Sequence, residues 1–267
     1  VLASVNILAT FGGSAYDRST AKTVERAPRM GADRVLVYDD KWLTEQPLWQ
    51  DSRFQYLLKH RGVGNRNGGR GLGWFAWKPY VIADALNRCD DGDVVLYLDA
   101  DTYPIADFRM LFDICRRDGG QMAFMATGAT QALRNGDWNK RDCMIAMGMD
   151  EPEWLDKGTA VARFMLFQKG AAGVAEFIEE WQEWCLDPIC QTFEPSVLAP
   201  DHPGFREHRT EQAIYTNLVH RKGLKLYREP CEFGAKCQQD WDLYPQLFSQ
   251  VYEGGVKSLN GSRFRNV

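Results

Sequence analysis

Two aspartates, Asp99 and Asp101, flank Ala100 directly after the apolar run VVLYL at 94–98. Carboxylates two positions apart at the end of a buried segment concentrate negative charge where water is scarce, and such charge calls for a cation. Hard oxygen donors suit magnesium or manganese, ions that bridge the oxygens of a diphosphate. A cation held there would act as a Lewis acid on a departing diphosphate. A bare D-x-D is more often the cap of a turn or helix; the strand before it and Thr102 after it favour the metal reading.

Other clusters carry less chemistry. The glycine-rich run at 62–73 (GVGNRNGGRGLG) lacks a following Gly-Lys-Ser/Thr, and residues 56–60 before it form no clean strand. Both phosphate-loop patterns therefore fail, and a flexible loop, placed to act as a lid, is the better reading. Seven cysteines, at 89, 115, 143, 185, 190, 231 and 237, are odd in number, scattered and without a C-x-x-C pair. Structural zinc is disfavoured, and reduced, mostly buried thiols are expected, with Cys185–Cys190 as the alternative disulfide.

The elements that must position Asp99 and Asp101 are legible. Residues 5–11 (VNILATF) read as a buried strand ended by Gly12-Gly13, residues 19–30 as a helix closed by Gly31, and residues 34–38 (RVLVY) as a second buried strand. That is a β-α-β unit and hence a parallel sheet. Pro79 suits a first helical turn, with Tyr80, Val81, Ala83 and Leu86 on the apolar face. After a turn at Asp91-Gly92, the run at 94–98 is apolar throughout, as in a central strand covered on both faces. The two aspartates then stand at a carboxyl end, where open α/β sheets bind ligands. Further on, residues 160–168 read as a strand and 174–185 as an amphipathic helix in which Trp181 and Trp184 pack. Residues 187–206 read as a proline-rich loop, 209–221 as a helix with Ala213, Ile214, Asn217 and Leu218 along one side, and 224–227 as a short strand.

With 267 residues, 45% of them hydrophobic, the chain is long enough for one large α/β domain or two small ones. The net charge of -4 and the lack of a basic tract argue against nucleic acid. No apolar run approaches the ~18 residues of a transmembrane segment. Residues 1–10 lack the basic start of a signal peptide.

The phrase Val95-Leu96-Tyr97-Leu98-Asp99-Ala100-Asp101 resembles the strand-into-D-x-D signature of the GT-A glycosyltransferases, in particular glycosyltransferase family 8 and the GMA12/MNN10-type enzymes. Trp77-Lys78-Pro79-Tyr80 is similar to their helix that begins with a basic residue, and Arg209-Thr210-Glu211-Gln212-Ala213-Ile214 to their short D-Q or E-D helix start. The main match covers Gly73 to Tyr103; the second is short. The resemblance implies a GT-A fold, a single Rossmann-like, mixed, mostly parallel sheet flanked by helices. It would form one domain over 1–267, with a nucleotide-sugar half at 1–103 and an acceptor half at 104–267.

The same resemblance implies roles. Asp99 and Asp101, with Ala100 between them, would hold manganese or magnesium and touch the donor ribose and diphosphate. Lys78 would lie near the donor sugar or steady the aspartates, and Thr10, Phe11 and Tyr16 would border the nucleotide base. Glu211 and Gln212 would face the reacting sugar: Glu211 as a general base if configuration inverts, either residue as a stabiliser of developing positive charge if it is retained. Retention is favoured, because Gln after an acid resembles the D-Q form. The plain alternative for Glu211 is a first-turn acid at a helix N-terminus. The donor would be a UDP-sugar and the acceptor a glycan or glycoconjugate. The expected location is the cytoplasm, with or without peripheral membrane attachment, or the Golgi lumen if an anchor precedes Val1. Two departures stand out. The family's late H-x-x-G metal ligand has only Ser258-Leu259-Asn260-Gly261 as counterpart, leaving His208 and His220 as substitutes that read equally as structural. Glu211-Gln212 is neither D-Q nor E-D.

Rival readings fit less well. A haloacid-dehalogenase-like phosphatase needs Thr where Tyr103 stands, and a sugar-nucleotidyltransferase needs a basic glycine-rich loop after Phe11. A non-catalytic carbohydrate-binding protein would use its tryptophans for stacking, but an intact D-x-D argues against it.

Overall fold

The computed structural model describes residues 4–12, 16–59, 72–127, 133–234 and 242–250. Its strands are β1 (Asn6–Phe11), β2 (Arg34–Tyr38), β3 (Val94–Leu98), β4 (Tyr103–Pro104), β5 (Gln121–Met125), β6 (Ala160–Gln168), β7 (Leu226–Arg228) and β8 (Phe248–Ser249). The α-helices run α1 (Asp17–Met30), α2 (Asp40–Thr44), α3 (Ser52–Lys59), α4 (Lys78–Asn87), α5 (Arg109–Arg117), α6 (Asn135–Trp138), α7 (Arg141–Ala146), α8 (Pro152–Leu155), α9 (Val174–Cys185), α10 (Pro188–Gln191) and α11 (Glu211–Arg221). Six strands form one sheet in the order β2-β1-β3-β6-β5-β7, and β4 pairs with β8 separately. Five of the six run one way; β6 runs against both of its neighbours. This is the mixed, mostly parallel sheet flanked by helices that the resemblance implies.

Alternation along the strands divides the core into two layers. Ile7, Ala9, Val95 and Tyr97 pack with residues of α4, α9 and α11, whereas Leu8, Val94, Leu96 and Leu98 pack with α1, α5 and Phe248. Both faces of β3 are therefore covered, and every residue from Val94 to Leu98 is buried. β2 departs from its expected burial. It pairs only with β1 at the sheet edge, and Val37 is 48% exposed, because apolar strand residues need not be covered where the layers end.

β6 is irregular. Five steps along it, from Leu166 to Val161, answer two steps on β5, from Met122 to Phe124. The inward parity switches across that stretch: Ala160 and Ala162, then Met165 and Phe167, face the same layer. A bulge of this kind re-aims side chains and leaves backbone groups unpaired.

Several sequence expectations change in detail. The 187–206 loop contains α10, and the helix expected from 209 begins at Glu211 because Thr210 stands at φ 47°. All six described cysteines are free thiols, Cys185 and Cys190 among them; Cys237 lies outside the described residues. So do residues 62–71 of the glycine-rich run and the Ser258–Gly261 stretch. Among the described residues no helix is long and apolar enough to cross a membrane.

Candidate active site

The D-x-D sits on a turn at the end of β3. Asp99 N–H still pairs with Arg163 O on β6 at 3.0 Å, and Thr102 N–H closes back on Asp99 O at 3.0 Å. The small Ala100 is buried at the corner. Thr102 Oγ1 donates to Asp101 Oδ1 at 3.0 Å and accepts from Gln250 Nε2, while Thr23 Oγ1 on α1 binds Thr102 O. The turn is thereby fixed from both ends of the chain, and both carboxylates stay half-buried.

Asp99 continues the parity of Val95 and Tyr97, which face α4, α9 and α11. Lys78, the first residue of α4, lies in that layer and is buried. Its ammonium meets Ala162 O at 2.8 Å, Asp99 Oδ1 at 3.0 Å and Glu211 Oε1 at 3.1 Å, so all three N–H donors are used. The first of these acceptors is a carbonyl in the irregular stretch of β6. Burial alone would lower the Lys78 pKa, but Asp99 and Glu211 outweigh it and hold the ammonium above its ordinary range. Tyr97 is pushed well up by burial and by Asp99, to which its hydroxyl donates. Glu211 heads α11, which is docked by Thr216 Oγ1 against Ala160 N and by Trp181 Nε1 on Glu211 O at 3.2 Å.

On the other side of the turn stands Arg163, which sequence reading did not single out. It lies in the irregular stretch of β6 and pairs with the buried Glu229 at 3.0 Å. Burial works against its charge, but Glu229 and Asp101 keep the guanidinium firmly protonated. The Glu229 carboxyl is raised by burial, opposed by Arg163 and by the Thr127 N–H. Asp101 is raised by burial, with Arg163 lowering it and Asp99 raising it again. The network thus sets four carboxylates, Asp99, Asp101, Glu211 and Glu229, against two cations, Lys78 and Arg163.

Two half-buried carboxylates on one turn, Asp99 and Asp101, fit a divalent cation. Among the described residues no group of three or more His, Cys, Asp or Glu could form a complete cage. Two carboxylates suffice for a magnesium-like ion that completes its shell with phosphate oxygens and water.

No protein-family model matches the chain, and no curated protein matches it. Solved structures similar to it include two glycosyltransferases. The apo structure of the bifunctional glycosyltransferase WbbM is 12% identical over 86% of this chain, with a TM-score of 0.49. The apo form of mouse xyloside xylosyltransferase 1 is 11% identical over 92% of this chain, with a TM-score of 0.48. The chain spans 40% of the WbbM chain's length and 98% of the xylosyltransferase's.

The remaining candidates divide. Tyr16 is exposed, yet its pKa is raised by partial burial and by Asp101 and Asp99, which places it beside the carboxylates. Thr10 is buried at the end of β1 with its hydroxyl unpartnered. Phe11 is buried too, and stacks on Trp77 at 4.0 Å. Gln212 is half-buried on the first turn of α11, next to the inward-facing Glu211. The two histidines are not near substitutes for a third ligand. His208 is buried between Lys140 N and Cys190 O, and His220 Nε2 binds Gly158 O at 2.7 Å. Each imidazole serves a backbone group, which is why neither belongs to the acidic network.

Proposed function

We propose that this chain is a metal-dependent glycosyltransferase of GT-A type, moving a sugar from a UDP-sugar to a glycan or glycoconjugate with retention of configuration. The observation that carries the reading is the Asp99–Asp101 turn at the carboxyl edge of the central strand, with the buried Lys78 paired to Asp99. Asp99 and Asp101 would hold manganese or magnesium. When bound, the ion would supply charge neutralisation to the leaving diphosphate. Thr102 and Gln250 keep the Asp101 carboxylate aimed, and Lys78 does the same for Asp99. Tyr16 would border a nucleotide entering over the turn, and the end of β1 at Thr10 and Phe11 would lie behind the base. Gln212 would present its amide oxygen to the sugar.

Titration calorimetry of UDP with manganese tests the site. The wild-type chain should bind UDP only with the ion, and Asp99→Asn or Asp101→Asn should abolish that binding. Unchanged binding in both variants would refute the metal site. A thermal-shift screen of nucleotide-sugars identifies the donor, since a donor at 100-fold its Kd adds about 2.7 kcal/mol.

A further inference from the structure

Among the described residues only three other than glycine have positive φ: Trp74 at 58°, Phe75 at 64° and Thr210 at 47°. Two of them, Phe75 and Thr210, lie against one ion pair. Thr210 Oγ1 donates to Glu211 Oε2 at 2.7 Å, and the Phe75 ring centre lies 5.4 Å from Lys78 Nζ. Trp74 is Phe75's neighbour in the same left-handed turn, and its carbonyl is held by Gln191 Nε2 at 2.7 Å. Strained backbone of this kind persists only where its surroundings over-determine it, and it gathers at active sites. The Lys78–Glu211 pair is thus built in from both sides.

We propose that Glu211 is a positioning residue for Asp99, acting through Lys78, and not the general base of the reaction; this rests on the glycosyltransferase reading above. A general base must come within hydrogen-bond reach of the acceptor hydroxyl. Glu211 faces inward instead: one carboxylate oxygen takes Lys78, the other takes Thr210, and its side chain is 7% exposed against 31% for Asp99. Sharing is the consequence. With Glu211 present, the Lys78 charge is divided between two carboxylates, and Asp99 keeps net negative charge toward the open side. With Glu211 neutral, the whole ammonium charge falls on Asp99 and cancels what it offers a cation.

The experiment measures manganese affinity by calorimetry on the full chain with UDP, alongside donor hydrolysis without acceptor and transfer with acceptor. Glu211→Gln keeps the shape and the acceptor for Lys78 but removes the charge. It should weaken manganese binding about 10- to 100-fold, the range for losing a group that orients a metal ligand. Hydrolysis and transfer should fall together. Adding Lys78→Met to Glu211→Gln should recover most of the lost manganese affinity, the non-additivity expected of residues that act through one contact. A Glu211→Gln chain that keeps manganese affinity and hydrolysis while transfer alone collapses would make Glu211 the base and overturn the proposal, leaving the metal-dependent function intact. A wild-type chain that binds no manganese with UDP overturns both. Should Glu211→Gln fail to fold, Thr210→Val removes only the donor to Glu211: weaker manganese binding supports the proposal, and unchanged binding overturns it.

Discussion

Replacing Thr210 by glycine and by alanine should invert the usual order of the two residues. Thr210 sits at φ 47°, ψ -124°, a conformation open to glycine and hostile to any side chain. Such a residue stores about 1–3 kcal/mol of strain. Its hydroxyl bond to the Glu211 carboxylate returns about 1.5–3 kcal/mol, the range for a hydrogen bond to a charged group. Alanine loses the bond and keeps the strain. Glycine loses the same bond and releases the strain, offset by about 0.5–1 kcal/mol of extra freedom in the unfolded chain. Thr210→Gly should therefore be more stable than Thr210→Ala by about 0.5–2 kcal/mol, while elsewhere in a helix or strand alanine wins. Urea unfolding of the three chains, compared at equal m-values, reads the difference directly. An alanine chain as stable as the glycine chain would show that Thr210 is not strained.

Further outcomes follow from buried polar groups outside the acidic network. His208 is pushed down to about 3 by burial first and by Lys140 second. Its folded pKa thus lies below the unfolded value of 6.5, so the unfolded chain takes the proton first. His208 therefore costs no stability above pH 6.5 and an increasing amount as pH falls toward 3, about 1.4 kcal/mol at pH 5.5. Urea titrations at several pH values should show this slope, and His208→Gln should flatten it; an unaltered slope would acquit the residue. Asp142 is buried and accepts the Val197 and Leu198 N–H groups, both at 2.8 Å, although Val197 itself is 80% exposed. Asp142→Asn should cost about 1–3 kcal/mol and speed hydrogen exchange at those two amides, and unchanged exchange would count against the cap. The Asp99→Asn and Asp101→Asn calorimetry and the Glu211→Gln cycle complete the set.

How much of this was legible in the residues depends on distance along the chain. Asp99, Asp101 and Lys78 lie within one strand and its preceding helix, where apolar runs, Pro79 and the D-x-D are local signals. β3, β6 and α9 likewise fall at their expected bounds. The Lys78–Glu211 pair joins positions 133 residues apart, and no local pattern announces such a contact. Arg163 was hidden for a different reason. In a parallel sheet ligands gather at the carboxyl ends of strands, a rule that points to the wrong end of β6. Because β6 is reversed and irregular, its first half meets the Asp99 turn, and Arg163 and Ala162 O reach the site from there. The burial expected of β2 failed because a run of apolar residues does not say whether its strand is central or at an edge. Strain at Trp74, Phe75 and Thr210 has no signature in residue type at all.

The left-handed turn of Gly73, Trp74 and Phe75 also bears on where the molecule opens. Gly73 at its start admits no side chain, since a Cβ there would lie 2.6 Å from the Phe54 ring. Two non-glycine residues in this conformation raise the folded state by roughly 2–4 kcal/mol. That energy is held in by Gln191 on the Trp74 carbonyl and by Phe193 edge-on to the Trp74 ring. Whenever those contacts part, the stored energy is released and favours the open form, so the turn needs less thermal energy to detach than relaxed backbone with equal packing. Amide exchange around 73–76 should accordingly outpace that of α4, and the end of α10 with Phe193 becomes the clasp that holds the turn shut.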